Sequence, residues 1–385
     1  MEIVFTPEHD QFRQEVVEFL RENWTKAETR DVRAFRRAAT DRGYLYRAFP
    51  RRYGGSEQQP DPVKAHIIRE EFDKVRAPRE IGGNGPSMLA PTILTCGEDW
   101  QKEKFIEKTL HGDYVWAQGY SEPGAGSDLA NVRTSAVLDG DEWVINGQKV
   151  WTSNAHNSNF MFALVRTEPD APKHQGITYM LLDMRQPGVV VRPLKQITGE
   201  AEFNEIFIDN ARTPKDWIVG KRGEGWQTSR TTLVFERNSV GGAEVSAAIF
   251  NRLVSLAKST ELNGRPAIQD PQIRDELAKL HTQVTAHRAA GAHQLALQLA
   301  GKESSPANGA MTKLYGSTIT WNIALTAQKI IGEHILGDAV EGAPGPGRWT
   351  KQFMNSIAAQ IGGGTSNIQR NVISERGLGM PRGAA

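Results

Sequence analysis

The sequence predicts a mainly α-helical protein with an antiparallel β domain in its middle, and two changes of hydrophobic period carry that expectation. From Thr6 to about Tyr114 apolar residues recur at helical spacing. Between about Val115 and Pro214 they gather into short runs separated by turn residues. After Gly225 the helical spacing returns. Three regions follow, 1–114, 115–214 and 215–385, in a chain long enough to bury a core in each.

In the first region Thr6-Pro7 marks a helix start, with the hydroxyl placed as N-cap and proline at the first helical position. Phe12, Val16, Phe19 and Leu20 then form one apolar stripe. In the second region "EWVINGQKVW" sets Asn146-Gly147 between two apolar runs, which predicts a hairpin turn there because both residues accept positive φ. The runs "FMFALV", "ITYMLLDM", "GVVVRPL" and "NEIFIDN" continue the strands. In the third region Ile273, Leu277, Leu280 and Val284 mark one face of a long amphipathic helix. There is no internal repeat, and the low-complexity stretch "EGAPGPG" (Glu341 to Gly347) reads as a loop.

Composition excludes several function classes. With 46 basic and 45 acidic residues, no global charge draws the chain to nucleic acid or to an anionic membrane. No run is apolar enough to span a bilayer, and the opening "MEIVFTPEHD" lacks the basic-then-apolar order of a signal peptide, which points to a cytoplasmic protein. The single cysteine, Cys96, rules out an intramolecular disulfide and reads as a small core residue. His281, His287 and His293 lie six apart, a spacing that does not align them on a helix, so no metal site is expected.

Two stretches carry chemistry. In "YSEPGAGSDLANVRT" Pro123, Gly124 and Gly126 break regular structure, and Ser121, Ser127 and nearby amides can donate into a concavity suited to phosphate or a polar heterocycle. The same composition also serves an ordinary structural turn. In "KVWTSNAH" Trp151 stands beside Thr152 and Ser153, so an indole can lie against a flat ring while the hydroxyls reach its edge; a core tryptophan is the alternative.

Together with "PRRYGG" (Pro50 to Gly55), "INGQKVWTS" (Ile145 to Ser153), "GEGW" (Gly223 to Trp226) and "GGTSNIQRNVISERGLGMPR" (Gly363 to Arg382), these stretches resemble the acyl-CoA dehydrogenase family over nearly the whole chain. The resemblance implies a helical domain, a β domain and a C-terminal four-helix bundle, with FAD lying between the β domain and the bundle. It implies removal of two hydrogens from an acyl-CoA thioester: a carboxylate takes the α proton, and a hydride passes from the β carbon to the flavin. The thioester oxygen must be hydrogen-bonded as it gains charge, and the base needs a suitable pKa. By the same resemblance Gln118, Ser121, Trp151, Ser153, Thr365 and Asn367 contact FAD, Ser127 lies near the CoA chain, and electron-transfer flavoprotein or a similar acceptor takes the electrons.

One departure redirects the assignment of the base. Many family members carry a glutamate where this chain has Gly363, within Gly362-Gly363-Gly364, and glycine cannot move a proton. Other members carry the glutamate on a bundle helix immediately before an arginine, and Glu236-Arg237 in "TLVFERNSVGG" falls there. The resemblance therefore implies Glu236 as base, with Arg237 beside the substrate. Its apolar neighbours Leu233, Val234 and Phe235 favour a raised carboxylate pKa, whereas the competing reading is a solvated ion pair. Gly363 keeps a main-chain N–H for the thioester carbonyl.

Thr260 and Asn263 in "TELNG" replace the arginine and phenylalanine of a motif that in the family reaches the partner's cofactor, and Gly332-Glu333 stands where the family has a glycine pair. The resemblance thus admits a homotetramer or a heterotetramer with a homologous chain. Three readings follow: an acyl-CoA dehydrogenase, a non-catalytic or half-active partner subunit, and a flavoenzyme of the same fold with other chemistry. A base on the bundle helix leans towards branched, long or polycyclic acyl groups.

Overall fold

The computed structural model describes residues 6–27, 30–239, 242–299, 305–333 and 346–382. The chain divides into two compact units, one of residues 1–194 and 201–232, the other of residues 195–200 and 233–385.

The first unit opens with helices α1 (Pro7–Leu20), α2 (Val32–Asp41), α3 (Pro62–Lys74) and α4 (Ala90–Cys96). Thr6 precedes α1 as expected, and its N–H donates to Nδ1 of His9 at 3.1 Å. The predicted stripe turns inward: Val16, Phe19 and Leu20 are buried. Phe19 meets Phe35 of α2 at 5.6 Å and Tyr44 at 5.1 Å, and Phe35 meets Phe72 of α3 at 5.8 Å, so tilted and edge-on aromatic contacts hold these helices together. Cys96 is half-buried rather than enclosed, its Sγ 3.9 Å from the Thr231 hydroxyl.

Seven strands follow in one sheet: β1 (Trp116–Gly119), β2 (Ser135–Asp139), β3 (Glu142–Ser153), β4 (Phe160–Arg166), β5 (Ile177–Asp183), β6 (Val189–Leu194) and β7 (Phe203–Pro214). Most pairings are antiparallel, and β1 runs parallel to β4. Phe105 ties the helical part of this unit to the sheet, standing edge-on to Trp116 at 5.6 Å and to Trp217 at 5.2 Å.

The hairpin expected at Asn146-Gly147 is not there. β3 runs unbroken through both residues, and the turn from β2 to β3 falls at Gly140-Asp141, with Asp139 opposite Glu142 and Gly140 at φ +64°. Pairing with the long strand β7 decides the matter, because it engages β3 on both sides of Asn146, with Gly147 opposite Ile208 and the extra residue of the bulge on β7 at Asp209-Asn210. A Cβ on Gly147 would lie 2.6 Å from the Cα of Thr134, so this glycine answers a close backbone approach rather than a turn.

Helix α5 (Gly225–Ser239) passes from the first unit into the second. Its first residue must be glycine, since a Cβ would sit 2.3 Å from the Tyr179 backbone nitrogen. The second unit contains α6 (Ala243–Ser259), α7 (Pro271–Leu299), α8 (Pro306–Ile331), α9 (Pro346–Ala359) and the short α10 (Ser366–Val372). Its core joins Leu253 of α6, Leu277 and Val284 of α7, Ile319 and Ile323 of α8, and Trp349 of α9. All four apolar positions predicted along α7 are buried. "TELNG" forms the small hairpin β8 (Glu261–Leu262) and β9 (Arg265–Pro266), where Asn263 at φ +52° and Gly264 at φ +76° make the turn. Within "EGAPGPG", Glu341 to Gly345 lie outside the described residues, and Pro346-Gly347 open α9 instead of continuing a loop, proline being well suited to a first helical position. No helix among the described residues is long and apolar enough to cross a membrane.

Candidate functional site

In the first unit the expected cofactor residues gather around the end of β3. A second bulge against β7, between Lys149 and Thr152, puts Trp151 at φ +61°, a conformation that a bulky residue adopts only when its surroundings impose it. The consequence is an indole turned out of the sheet, 61% exposed and set edge-to-face with Phe203 at 6.1 Å. This overturns the core alternative for Trp151, because the bulge re-aims the side chain. Ser153, two residues on, is half-buried and lines a cavity of about 200 Å³ together with Trp116 and Asn154.

The "SEPGAGSD" loop is tied to this strand end. The Val150 N–H donates to the Ser121 carbonyl at 2.9 Å, and Glu122 and Ala125 exchange two backbone hydrogen bonds around Pro123-Gly124. Those two amides are thereby used within the turn and not offered to a ligand, contrary to the expectation of free amides there. The hydroxyls of Ser121, Ser127 and Ser153 have no hydrogen-bond partner among the described residues, with Ser121 half-buried and Ser127 exposed. Gln118 sits half-buried on β1. An outward indole and unpartnered hydroxyls fit the ring and polar edge of a flavin.

Beneath the loop lies a feature that the motifs did not reveal. Lys149 is fully buried and donates to Oε1 of Glu122 at 2.8 Å and to the Leu164 carbonyl at 2.7 Å. The same carboxylate accepts from the Thr134 hydroxyl at 2.6 Å, the Thr134 N–H at 2.9 Å and the Arg133 N–H at 2.7 Å. Burial pushes Glu122 upward, yet the Lys149 charge and these donors outweigh it and hold the carboxyl below its usual value. Burial draws Lys149 down to about 8 against the opposing pull of Glu122. The signal was present in the sequence, since Lys149 shares the inward parity of Trp143 and Ile145 along β3.

In the second unit the three glycines follow the end of α9, with Gly363 at φ +65° and Gly364 at φ +91°. They are not a slack linker. The Gln369 side chain donates to the Gly363 carbonyl at 2.9 Å, and the buried Lys313 donates to the Gly364 carbonyl at 2.7 Å. Gly362 N–H closes onto the Ala358 carbonyl at 2.9 Å, whereas the Gly363 N–H has no partner among the described residues. Thr365 caps α10, its hydroxyl accepting from the Ile368 N–H at 3.3 Å, and Asn367 is exposed on the first turn, holding Arg370 at 3.0 Å. Sequence reasoning found the loop and missed Lys313 and Gln369, which hold it from behind.

Glu236 and Arg237 fall on the C-terminal part of α5, and their side chains lie outside the described residues. Val234 is 49% exposed and Leu233 and Phe235 are half-buried. His287 is buried, 3.3 Å from the Ser246 hydroxyl, whereas His281 and His293 are exposed. Among the described residues no three histidine, cysteine or carboxylate side chains converge as metal ligands.

Comparison with known proteins bears on the whole length of the chain. Family models for the acyl-CoA dehydrogenase N-terminal, middle and C-terminal domains match residues 6–113, 117–211 and 223–378. The chain is 39% identical over 360 residues to the acyl-CoA dehydrogenase IpdE1 of Mycobacterium tuberculosis, covering 91% of this chain and 89% of that protein. It is 35% identical to the acyl-CoA dehydrogenase FadE34 of the same organism, over 90% of this chain and 46% of that one. Among solved structures, a chain of the ChsE4-ChsE5 complex from Mycobacterium tuberculosis superposes with a TM-score of 0.79 at 26% identity, covering all of both chains. A structure described as the Tcur3481-Tcur3483 steroid ACAD does so with the same score, identity and coverage.

Proposed function

We propose a reaction from one premise: the chain belongs to the acyl-CoA dehydrogenase family, whose members are FAD-dependent oxidoreductases. The reaction is α,β-dehydrogenation of an acyl-CoA thioester to the trans-2-enoyl-CoA. FAD, when bound, supplies the acceptor for the hydride that leaves the β carbon.

The chain's own residues supply the rest. Glu236 takes the α proton. The Gly363 N–H donates to the thioester oxygen as negative charge develops there, a contribution typically worth about 3 kcal/mol of barrier. The observation that carries this reading is the loop itself: its carbonyls are held by Gln369 and Lys313 while the Gly363 N–H is left without a partner. A donor fixed from behind is pre-organised, and it does not depend on the side chain that glycine lacks. Trp151 packs against the flavin, Gln118, Ser121, Ser153, Thr365 and Asn367 hydrogen-bond it, and Ser127 and Arg237 meet the CoA thioester.

The acyl group is bulky and ring-bearing. This is supported by the likeness to a solved structure described as a steroid ACAD and by a base on the bundle helix in place of the loop. Anaerobic titration of the flavin-loaded protein with alicyclic and polycyclic acyl-CoA thioesters tests the reaction by bleaching of the flavin absorbance. In Glu236→Gln the bleaching rate falls at least about a hundredfold. A normal rate in that variant removes Glu236 as the base.

A second reading concerns assembly and rests on the β8–β9 hairpin, which stands where the family motif reaches a partner's cofactor. The chain assembles with a homologous but unlike chain; one of the solved structures it resembles is a complex, ChsE4-ChsE5. Native mass spectrometry of the protein purified from its own cells separates this arrangement from a homotetramer.

A further inference from the structure

We infer that Thr232, clustered with Tyr179 and Thr92, sets the axial position of α5 and with it that of Glu236, so that Thr232 and Tyr179 are positioning residues for the base; this rests on the dehydrogenase reading above. The three hydroxyls come from α5, β5 and α4, and all three residues are fully buried. Thr232 stands between the other two, its Oγ1 2.9 Å from Thr92 Oγ1 and 3.3 Å from the Tyr179 phenol oxygen. Thr92 also reaches the Met88 carbonyl at 2.7 Å, which fixes it on its own helix. Burial pushes the Tyr179 phenol above its usual value, so it stays protonated and neutral.

Tyr179 meets the helix at three levels. A Cβ on Gly225 would crowd its backbone nitrogen, so the first turn of α5 lies directly on β5. Its carbonyl accepts from the Val219 N–H at 2.9 Å, and the Val219 carbonyl accepts from the Thr228 hydroxyl at 3.3 Å. Its phenol reaches Thr232 in the next turn. The ring is itself held, stacked on Phe162 at 5.9 Å and edge-on to Tyr120 at 6.2 Å. Apolar side chains would be enough to bury this face of α5. Hydrogen bonds add something else, because they weaken steeply when the partners shift or tilt, and a buried network of them selects one arrangement.

Glu236 follows Thr232 by four residues on the same helix, one turn or about 6 Å along the axis. Over so short a span a displacement at Thr232 is carried to the backbone of residue 236. Proton abstraction is sensitive to such a displacement: misplacement by about 1 Å can cost on the order of a hundredfold in rate.

The test follows bleaching of the FAD-loaded protein by 3-cyclohexylpropanoyl-CoA, an alicyclic thioester with hydrogens on both reacting carbons, and by the same thioester deuterated at the α carbon. Thr232→Val keeps the shape of the side chain and removes the hydroxyl. Its limiting bleaching rate is expected to fall at least about tenfold, while the dissociation constant of the thioester changes less than about twofold. Thr232→Ser returns the hydroxyl and recovers the rate to within about threefold. The α-deuterium isotope effect in the valine variant is at least as large as in the unaltered protein, because proton removal has become the slower step. Tyr179→Phe takes the place of the valine variant if circular dichroism shows that one unfolded. In a folded variant, a normal rate, a loss that serine does not recover, or a smaller isotope effect overturns the inference and leaves the dehydrogenase standing. A normal rate in Glu236→Gln overturns it by removing the base that is positioned. Absence of bleaching in the unaltered protein with this thioester and with every other one titrated removes the reading itself, and the inference with it.

Discussion

Two buried lysines, one in each unit, hold glycine-containing loops by different means. Lys149 holds the "SEPGAGSD" loop through the carboxylate of Glu122, an acid whose remaining hydrogen bonds go to Arg133 and Thr134. Lys313 holds the triple-glycine loop through the main-chain carbonyl of Gly364. The first staple depends on the identity of a loop side chain. The second reaches its loop through a main-chain carbonyl, a contact that no loop side chain has to provide. A loop that offers a main-chain donor can be supported by main-chain contacts alone.

The contrast predicts graded damage. Lys149→Met strands the Glu122 carboxylate in the interior and should cost the first unit about 3–5 kcal/mol in denaturant unfolding, with loss of bound FAD. Adding Glu122→Gln should recover part of that loss, because the stranded charge is gone. A double variant no more stable than the single one would show that the two residues do not act as a pair. Lys313→Met should cost less, about 1.5–3 kcal/mol for a hydrogen bond from a charged donor, and should slow flavin bleaching more than it weakens FAD binding. The smallest effect belongs to Gln369→Leu, about 1 kcal/mol, which removes a neutral donor from the Gly363 carbonyl.

The titration of Lys149 sharpens the comparison further. With its folded pKa drawn down to about 8 from 10.5, the unfolded chain binds more protons than the folded one between those values. Stability from this group therefore rises with pH across that window. The thermal midpoint of the unaltered protein should gain on that of Lys149→Met between pH 8 and 10.5, and a constant gap would contradict the depressed pKa.

Much of the fold was legible, because helical and strand periods are read from a single chain and long amphipathic stretches such as α7 depend little on context. The turns were harder. Asn146-Gly147 carries a strong local turn signal, yet pairing of β3 with β7 overrides it. The same dipeptide at Asn263-Gly264 in "TELNG" does make a turn, where no long neighbouring strand competes. Of the candidate site, the loops, Trp151 and the glycines were visible as motifs. Lys313 was not, because it acts on a residue 51 positions away, and Gln369, six residues from Gly363, lay inside the motif with nothing in the sequence to mark its bond to the loop carbonyl.

Two of the four Asn-Gly pairs, at Asn146 and Asn263, should also age differently. Deamidation proceeds when the following backbone nitrogen swings round to attack the asparagine amide, a motion that requires local freedom. Asn146 is pinned inside a strand, with its side chain accepting from the Asn210 N–H at 2.8 Å and donating to the Asn210 side chain at 3.2 Å. Asn263 sits in an exposed two-residue turn followed by a glycine whose Cβ position is open. Protein stored at mildly alkaline pH should therefore accumulate isoaspartate at Asn263 and not at Asn146. Peptide mapping by mass spectrometry, comparing the two sites over time, checks it.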